Sequence, residues 1–128
     1  MVIDTSALLA IVLDEPEREP FLAKISLDSR VLMAAANYVE AAIVVTARRD
    51  PGAATRLRAL LDEAGVEIVG VDEAVSEAAI EAFRRFGKGR HAAGLNFGDC
   101  FAYALAAVTG EPLLYKGDDF AKTDIAAA

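Results

Sequence analysis

Four short, mostly apolar runs punctuate this chain, at Val2-Ile3, Arg30–Met33, Val66–Val69 and Leu113–Tyr115. Each is too brief for a stable helix and has the length of a buried strand. Between them lie longer segments with helical periodicity. Ser6–Leu13 ends at the breaker Glu15-Pro16, and Glu17–Leu27 follows it. Ala35–Arg49 stops at Asp50-Pro51-Gly52, and Ala53–Ala64 carries Leu57, Leu60 and Leu61 on one face with Gly65 as its C-cap. Asp72 caps a helix whose apolar face is Val75, Ala79, Ala82, Phe83 and Phe86. Asp99–Thr109 has Phe101, Leu105 and Val108 at core spacing, and Gly87–Gly98 reads as a glycine-rich loop. Thr123–Ile125 is expected as a short last strand. Strands alternating with helices predict one α/β domain over residues 1–128, with a mainly parallel sheet.

A hydrophobic fraction of 55% supplies a core, and with 7% aromatics and no Trp that core must be built from Ala, Leu, Val and Ile. The longest apolar runs, such as Ala41–Val45, fall far short of a membrane span. No basic region followed by a long apolar stretch opens the chain, so no signal peptide is expected. The lone Cys100 cannot form an internal disulfide. These features predict a cytoplasmic protein with no membrane partner.

Four carboxylates interrupt this apolar pattern: Asp4 after the first strand, Glu40 inside the third helix, Asp99 at the start of the last helix, and Asp118 after the last main strand. A buried, unpaired carboxylate is costly, so such groups pair with a cation or bind a metal. Gathered together, the four would make an all-oxygen site suited to Mg²⁺ or Mn²⁺. In parallel sheets, ligands bind at the carboxyl ends of strands near a topological switch point, where Asp4 and Asp118 are expected. Asp99 gains from the helix dipole.

Each acid also has an ordinary explanation. Asp4 and Asp99 suit N-caps, and Asp118 and Asp119 suit a turn. Glu40 fits its ordinary role least, because its helical neighbours Ala36, Ile43, Val44 and Ala47 form an apolar stripe. Thr5 and Ser6 either cap a helix or hydrogen-bond a carboxylate. His91 is either a phosphate contact or an incidental loop residue, and Cys100 reads as a small packed side chain.

The net charge of −7 argues against a nucleic-acid partner taken alone. Yet the cations are clustered, with Arg48, Arg49, Arg56 and Arg58 in one group and Arg84, Arg85, Lys88, Arg90 and His91 in another. A basic, glycine-rich loop beside an acidic site suits a polyanionic substrate.

Four pieces in this order resemble the PIN-domain ribonucleases, specifically the VapC-type toxins of type II toxin–antitoxin systems. They are Val2-Ile3-Asp4-Thr5-Ser6-Ala7-Leu8, Glu40 in the third helix, Leu95–Ala106 containing Asn96-Phe97-Gly98-Asp99, and Pro112–Phe120 containing Lys116-Gly117-Asp118-Asp119. The third piece, with Gly87–His91 before it, is similar to one VapC subgroup. The resemblance covers essentially the whole chain and implies a three-layer α/β/α PIN-like domain. It also implies a Mg²⁺- or Mn²⁺-dependent endoribonuclease acting on cellular RNA such as tRNA or rRNA. The family's acidic quartet falls on Asp4, Glu40, Asp99 and Asp118, as both catalytic and metal-binding residues, with Asp119 as substitute for the fourth. A homodimer neutralised by a cognate VapB-type antitoxin is implied as well. Two other readings stand beside this one. The first is a non-catalytic PIN-fold partner acting through the antitoxin complex. The second is a Mg²⁺-dependent phosphatase or phosphoacceptor domain, for which Lys116 is a partial look-alike of the late-strand Lys.

Overall fold

A computed structural model of the chain describes residues 1–48 and 50–128. The elements run β1 (Val2–Ile3), α1 (Thr5–Val12), α2 (Arg18–Leu27), β2 (Leu32–Ala34), α3 (Ala35–Ala47), α4 (Ala53–Glu63), β3 (Glu67–Val69), α5 (Glu73–Phe86), α6 (Phe97–Thr109) and β4 (Leu113–Leu114). A short 3-10 helix, Phe120–Lys122, follows β4. The four strands form one parallel sheet in the order β3-β2-β1-β4.

Side chains alternate across a strand, so each short strand feeds two helical layers. Ile3, Met33 and Leu114 point into a core shared with α1, α2, α3 and α4. Val2, Leu32, Ala34 and Leu113 point the other way, into a core shared with α5 and α6. The result is the expected three-layer α/β/α domain. Register couples the layers, because Val2 pairs with Leu32 on one side and Leu113 on the other. A one-residue slip would turn every one of these side chains to the wrong layer. The chain steps from β1 through β2 to β3, then returns across the sheet to place β4 on the far side of β1. The topological switch therefore lies between β1 and β4.

Several local expectations shift. Thr123–Ile125 is not a strand. The tail instead meets the sheet at Leu113, whose N–H donates to the Ala126 carbonyl at 2.8 Å and whose carbonyl accepts from the Ala128 N–H at 3.0 Å. The last helix begins at Phe97, two residues early, because Asn96 rather than Asp99 is its N-cap. On α6 the buried run is Ala102–Ala106, while Val108 is half exposed. That helix packs against both the sheet and α5, so an apolar stripe one residue wide does not describe it. Phe83 on α5 is likewise partly exposed. Position 49, the expected end of α3, lies outside the described residues. No helix among the described residues is long and apolar enough to cross a membrane.

Leu8 on α1 is fully buried against the first core. Leu8→Ala should therefore lower the unfolding free energy by about 2–5 kcal/mol in a urea titration. A loss under about 1 kcal/mol would contradict the packing described.

Candidate active site

The acidic site is built where β1 and β4 end, at the switch point. Asp4 leaves β1 in extended conformation and caps α1. Its Oδ2 accepts from the Ser6 N–H at 2.8 Å and from the Ser6 hydroxyl at 2.5 Å. Ser6 Oγ in turn accepts from the Lys116 N–H at 2.9 Å, which ties the loop after β4 to the start of α1. Asp4 is thus the N-cap of α1. One oxygen caps the helix, and the other, Oδ1, is buried with no hydrogen-bond partner in a residue only 2% exposed. Burial pushes the Asp4 carboxyl up to about 6. The Asp99 charge adds to the rise, and the Ser6 hydrogen bonds hold it partly down.

Glu40 lies on α3 beside this residue pair. Its Oε2 accepts from the Thr5 hydroxyl at 2.6 Å. The apolar stripe expected around it does not face the core, since Ile43 is 62% exposed and Ala47 is also exposed. The face of α3 that enters the core is Asn37, Ala41 and Val45. Glu40 sits at the border of that face, half-buried, where it reaches the site without crossing the core. Gly98 makes room for it: a Cβ there would lie 2.5 Å from Glu40 Oε2 and 2.8 Å from Oε1. Asn37, wholly buried, donates through Nδ2 to Thr5 Oγ1 at 3.2 Å and to the Gly98 carbonyl at 3.0 Å. Sequence reasoning passed over Asn37 and Gly98. The available signal was a polar amide four and eight residues before Ala41 and Val45, on the buried stripe of a helix.

Asp99 occupies the third position of α6 and closes a capping box. Its Oδ2 accepts from the Asn96 N–H at 2.8 Å, while the Asn96 side chain accepts from the Asp99 N–H at 2.9 Å. Partial burial raises the Asp99 carboxyl above the usual carboxylate range, helped by the charges of Asp119 and Glu40 and opposed by the Asn96 hydrogen bond. Asp99 thus feels Glu40 and Asp119 and in turn acts on Asp4. Asp118 is exposed in the turn after β4 and is not among the charges acting on Asp99. Among the described residues, no three carboxylate, His or Cys side chains converge closely enough to form a finished cation cage. What the residues offer is an all-oxygen, mutually repelling set with one orphaned buried oxygen, a donor chemistry that fits a hard divalent cation.

The basic clusters are largely spoken for. Arg56 pairs with Asp50 at 2.5 Å, Arg58 with Asp62 at 3.1 Å and Arg84 with Glu81 at 3.5 Å. Arg85 binds Asp124 at 2.6 Å, and Tyr103 donates its hydroxyl to the same carboxylate. Arg90 stands over the Phe83 ring at 5.6 Å. Arg48 and Lys88 are exposed, and Arg49 lies outside the described residues. His91 accepts from the Ala93 N–H through Nδ1 and meets the edge of Phe86, which is an ordinary loop role. Cys100 is buried, and burial with the Asp99 charge pushes its thiol up to about 11, as befits a packed and unreactive side chain. Lys116 turns its ammonium to Glu15 at 2.7 Å and Glu17 at 2.9 Å.

The sequence matches the PIN-domain model over residues 1–126. The chain belongs to the PIN-domain family. This PIN domain is 50% identical over 126 residues to ribonuclease VapC30 of Mycobacterium tuberculosis, covering 98% of this chain and 96% of that relative. Identity of that order along almost the full length puts it in the VapC branch of the family. The solved structure of Mycobacterium tuberculosis VapC20, a sarcin–ricin-loop-cleaving toxin, superposes with a TM-score of 0.78 at 17% identity, covering 99% of this chain and 97% of that one. A toxin–antitoxin complex from Klebsiella pneumoniae gives 0.76 at 15% identity, covering 99% and 95%. At such low identity these two show that the PIN fold is shared.

The raised Asp4 carboxyl makes a pH prediction. Its folded value of about 6 lies above the ordinary 3.8, so the folded state holds this proton more tightly than the unfolded chain. The contribution of Asp4 to stability is therefore largest below pH 3.8, falls as pH rises towards 6, and levels off above. In EDTA at pH 7.5, Asp4→Asn should unfold at higher urea than the parent protein, by up to about 3 kcal/mol. Near pH 4 the two should converge. Equal or lower stability of the variant at pH 7.5 would contradict the burial argument.

Proposed function

We propose that this PIN domain is the toxin of a type II toxin–antitoxin pair and cleaves RNA as a divalent-cation-dependent endoribonuclease. The observation that carries the reading is the charge coupling of Asp4, Asp99 and Glu40 at the switch point, in a chain half identical to a VapC ribonuclease. Asp4, Glu40 and Asp99 are the residues that would hold Mg²⁺ or Mn²⁺. The fourth acid comes from the Asp118-Asp119 turn, and the effect of Asp119 on Asp99 favours Asp119 over Asp118. A cation bound there supplies neutralisation of the phosphoryl oxygens and a more acidic water at neutral pH.

The chain's own residues do the rest. Asp4, with its proton lost above pH 6, presents Oδ1 as a fixed negative oxygen in a place water does not reach. Ser6 and Thr5 hold the Asp4 and Glu40 carboxylates in single orientations. The exposed Arg48, Lys88 and Arg90 are the candidate contacts for the RNA backbone. The exposed apolar side chains Val39, Ile43, Ile80 and Phe97 are available to protein partners, which we take to be a VapB-type antitoxin and a second copy of the chain. An RNA substrate and a single unpaired cysteine agree with a cytoplasmic location. The phosphoacceptor reading loses its main support, because Lys116 faces Glu15 and Glu17 and not Asp4.

Purified protein should cut structured RNA in Mg²⁺ or Mn²⁺ and stop when EDTA is added. Asp4→Ala and Asp99→Ala should each cost at least about a hundredfold in cleavage rate, beyond what loss of a supporting contact costs. Undiminished cleavage by either variant would remove the assigned site. Asp119→Asn should also cost more than Asp118→Asn in the same assay, and the reverse order would return the fourth role to Asp118.

A further inference from the structure

The amide of Asn37 reaches the start of α1, just after Asp4, and the start of α6, just before Asp99. Asn37 is 0% exposed on the core face of α3, three residues before Glu40. Its two amide hydrogens are both used, one on Thr5 Oγ1 at 3.2 Å and one on the Gly98 carbonyl at 3.0 Å. Thr5 directly follows Asp4, and Gly98 directly precedes Asp99. The contacts therefore run to the start of α1, to the start of α6 and, through Thr5, back to α3.

Thr5 passes the contact on. Its hydroxyl lies 2.6 Å from Glu40 Oε2 and 3.3 Å from the Asn37 carbonyl. A hydroxyl has one proton to give, and the carboxylate is the nearer and the charged acceptor. With Asn37 donating to the same oxygen, the polar groups form one chain: amide N–H to hydroxyl O–H to carboxylate. Each link polarises the next in a low-dielectric interior. Gly98 completes the fit from the other side, because a Cβ there would displace the Glu40 carboxylate from its present place. The arrangement carries a cost, since Asn37 Oδ1 is buried without a partner. An apolar residue would avoid that penalty, so the amide is not there for stability alone.

We propose that Asn37 is the positioning residue of the acidic site, setting Glu40 through the Thr5 hydroxyl and the Asp99 helix start through the Gly98 carbonyl. It does not touch the substrate. The proposal rests on the nuclease reading of the site and adds the device that holds its geometry.

The test uses Asn37→Ala, Thr5→Val, the double variant, and Thr5→Ser, which keeps the hydroxyl. Mn²⁺ affinity is measured directly by electron paramagnetic resonance of free Mn²⁺, alongside melting temperature and RNA cleavage. Asn37→Ala and Thr5→Val should each weaken Mn²⁺ binding about 10- to 100-fold, the cost of losing a supporting contact to a ligand. The double variant should be no worse than the poorer single, because the residues act in one chain. Thr5→Ser should recover most of the affinity. If Asn37→Ala does not fold, Thr5→Val against Thr5→Ser decides. Variants that melt earlier but bind Mn²⁺ as the parent does would overturn the positioning role and leave the nuclease reading intact. A parent protein that neither binds Mn²⁺ nor cuts RNA would overturn both.

Discussion

A carboxylate buried against like charges is the constraint around which this molecule is arranged. Asp4 is the residue at which β1, one of the two inner strands of the sheet, meets α1. Its position is fixed by the register that sends Val2 and Ile3 into opposite cores, so it cannot drift towards water without unpacking both layers. The charge of Asp99 on α6 acts on Asp4, and that of Glu40 on α3 acts on Asp99. Left to itself this set repels, and folding must absorb that repulsion. The surrounding structure does so with hydrogen bonds from Ser6, Thr5 and Asn96, and with the apolar packing of two helical layers.

The same constraint explains why an acidic protein suits an anionic substrate. Among the described residues, most of the basic side chains are committed to ion pairs on the surface, so they do little to recruit RNA beyond the exposed few. On the proposed reading, attraction for phosphate comes largely from a cation held by the acids. A site that repels phosphate when empty and attracts it when loaded makes binding depend on the metal. The same acids, when empty, would attract a basic segment of a protein partner.

Much of the fold was legible because its signals are local. The four strands and six helices follow from short apolar runs, breakers such as Pro16 and Pro51-Gly52, and caps such as Asp72. What was not legible depends on tertiary context. Asn96 competes with Asp99 as the cap of α6, and both are good caps; the reciprocal hydrogen bonds of the capping box decide between them. The exposed face of α3 looked like a core stripe because that helix is apolar almost all round, and only packing shows that Asn37, Ala41 and Val45 turn inward. Asn37 carries a signal in its register with Ala41 and Val45, but its role depends on Thr5 and Gly98, which arrive from 32 and 61 residues away. The last turn shows the limit of spacing arguments, since Asp118 and Asp119 are neighbours in sequence and only the charge of Asp119 acts on Asp99.

The central claim is that the acids at the switch point are a cation site. Crystals grown at pH 7.5 and soaked in Mn²⁺ would test it most directly, through the anomalous scattering of the ion. The account predicts a peak within coordination distance of Asp4 Oδ1, the buried oxygen that no protein group satisfies, and shared with Asp99 or Glu40. Saturating Mn²⁺ with Asp4 Oδ1 still unliganded, or a peak confined to surface carboxylates such as Glu15 and Glu17, would contradict it.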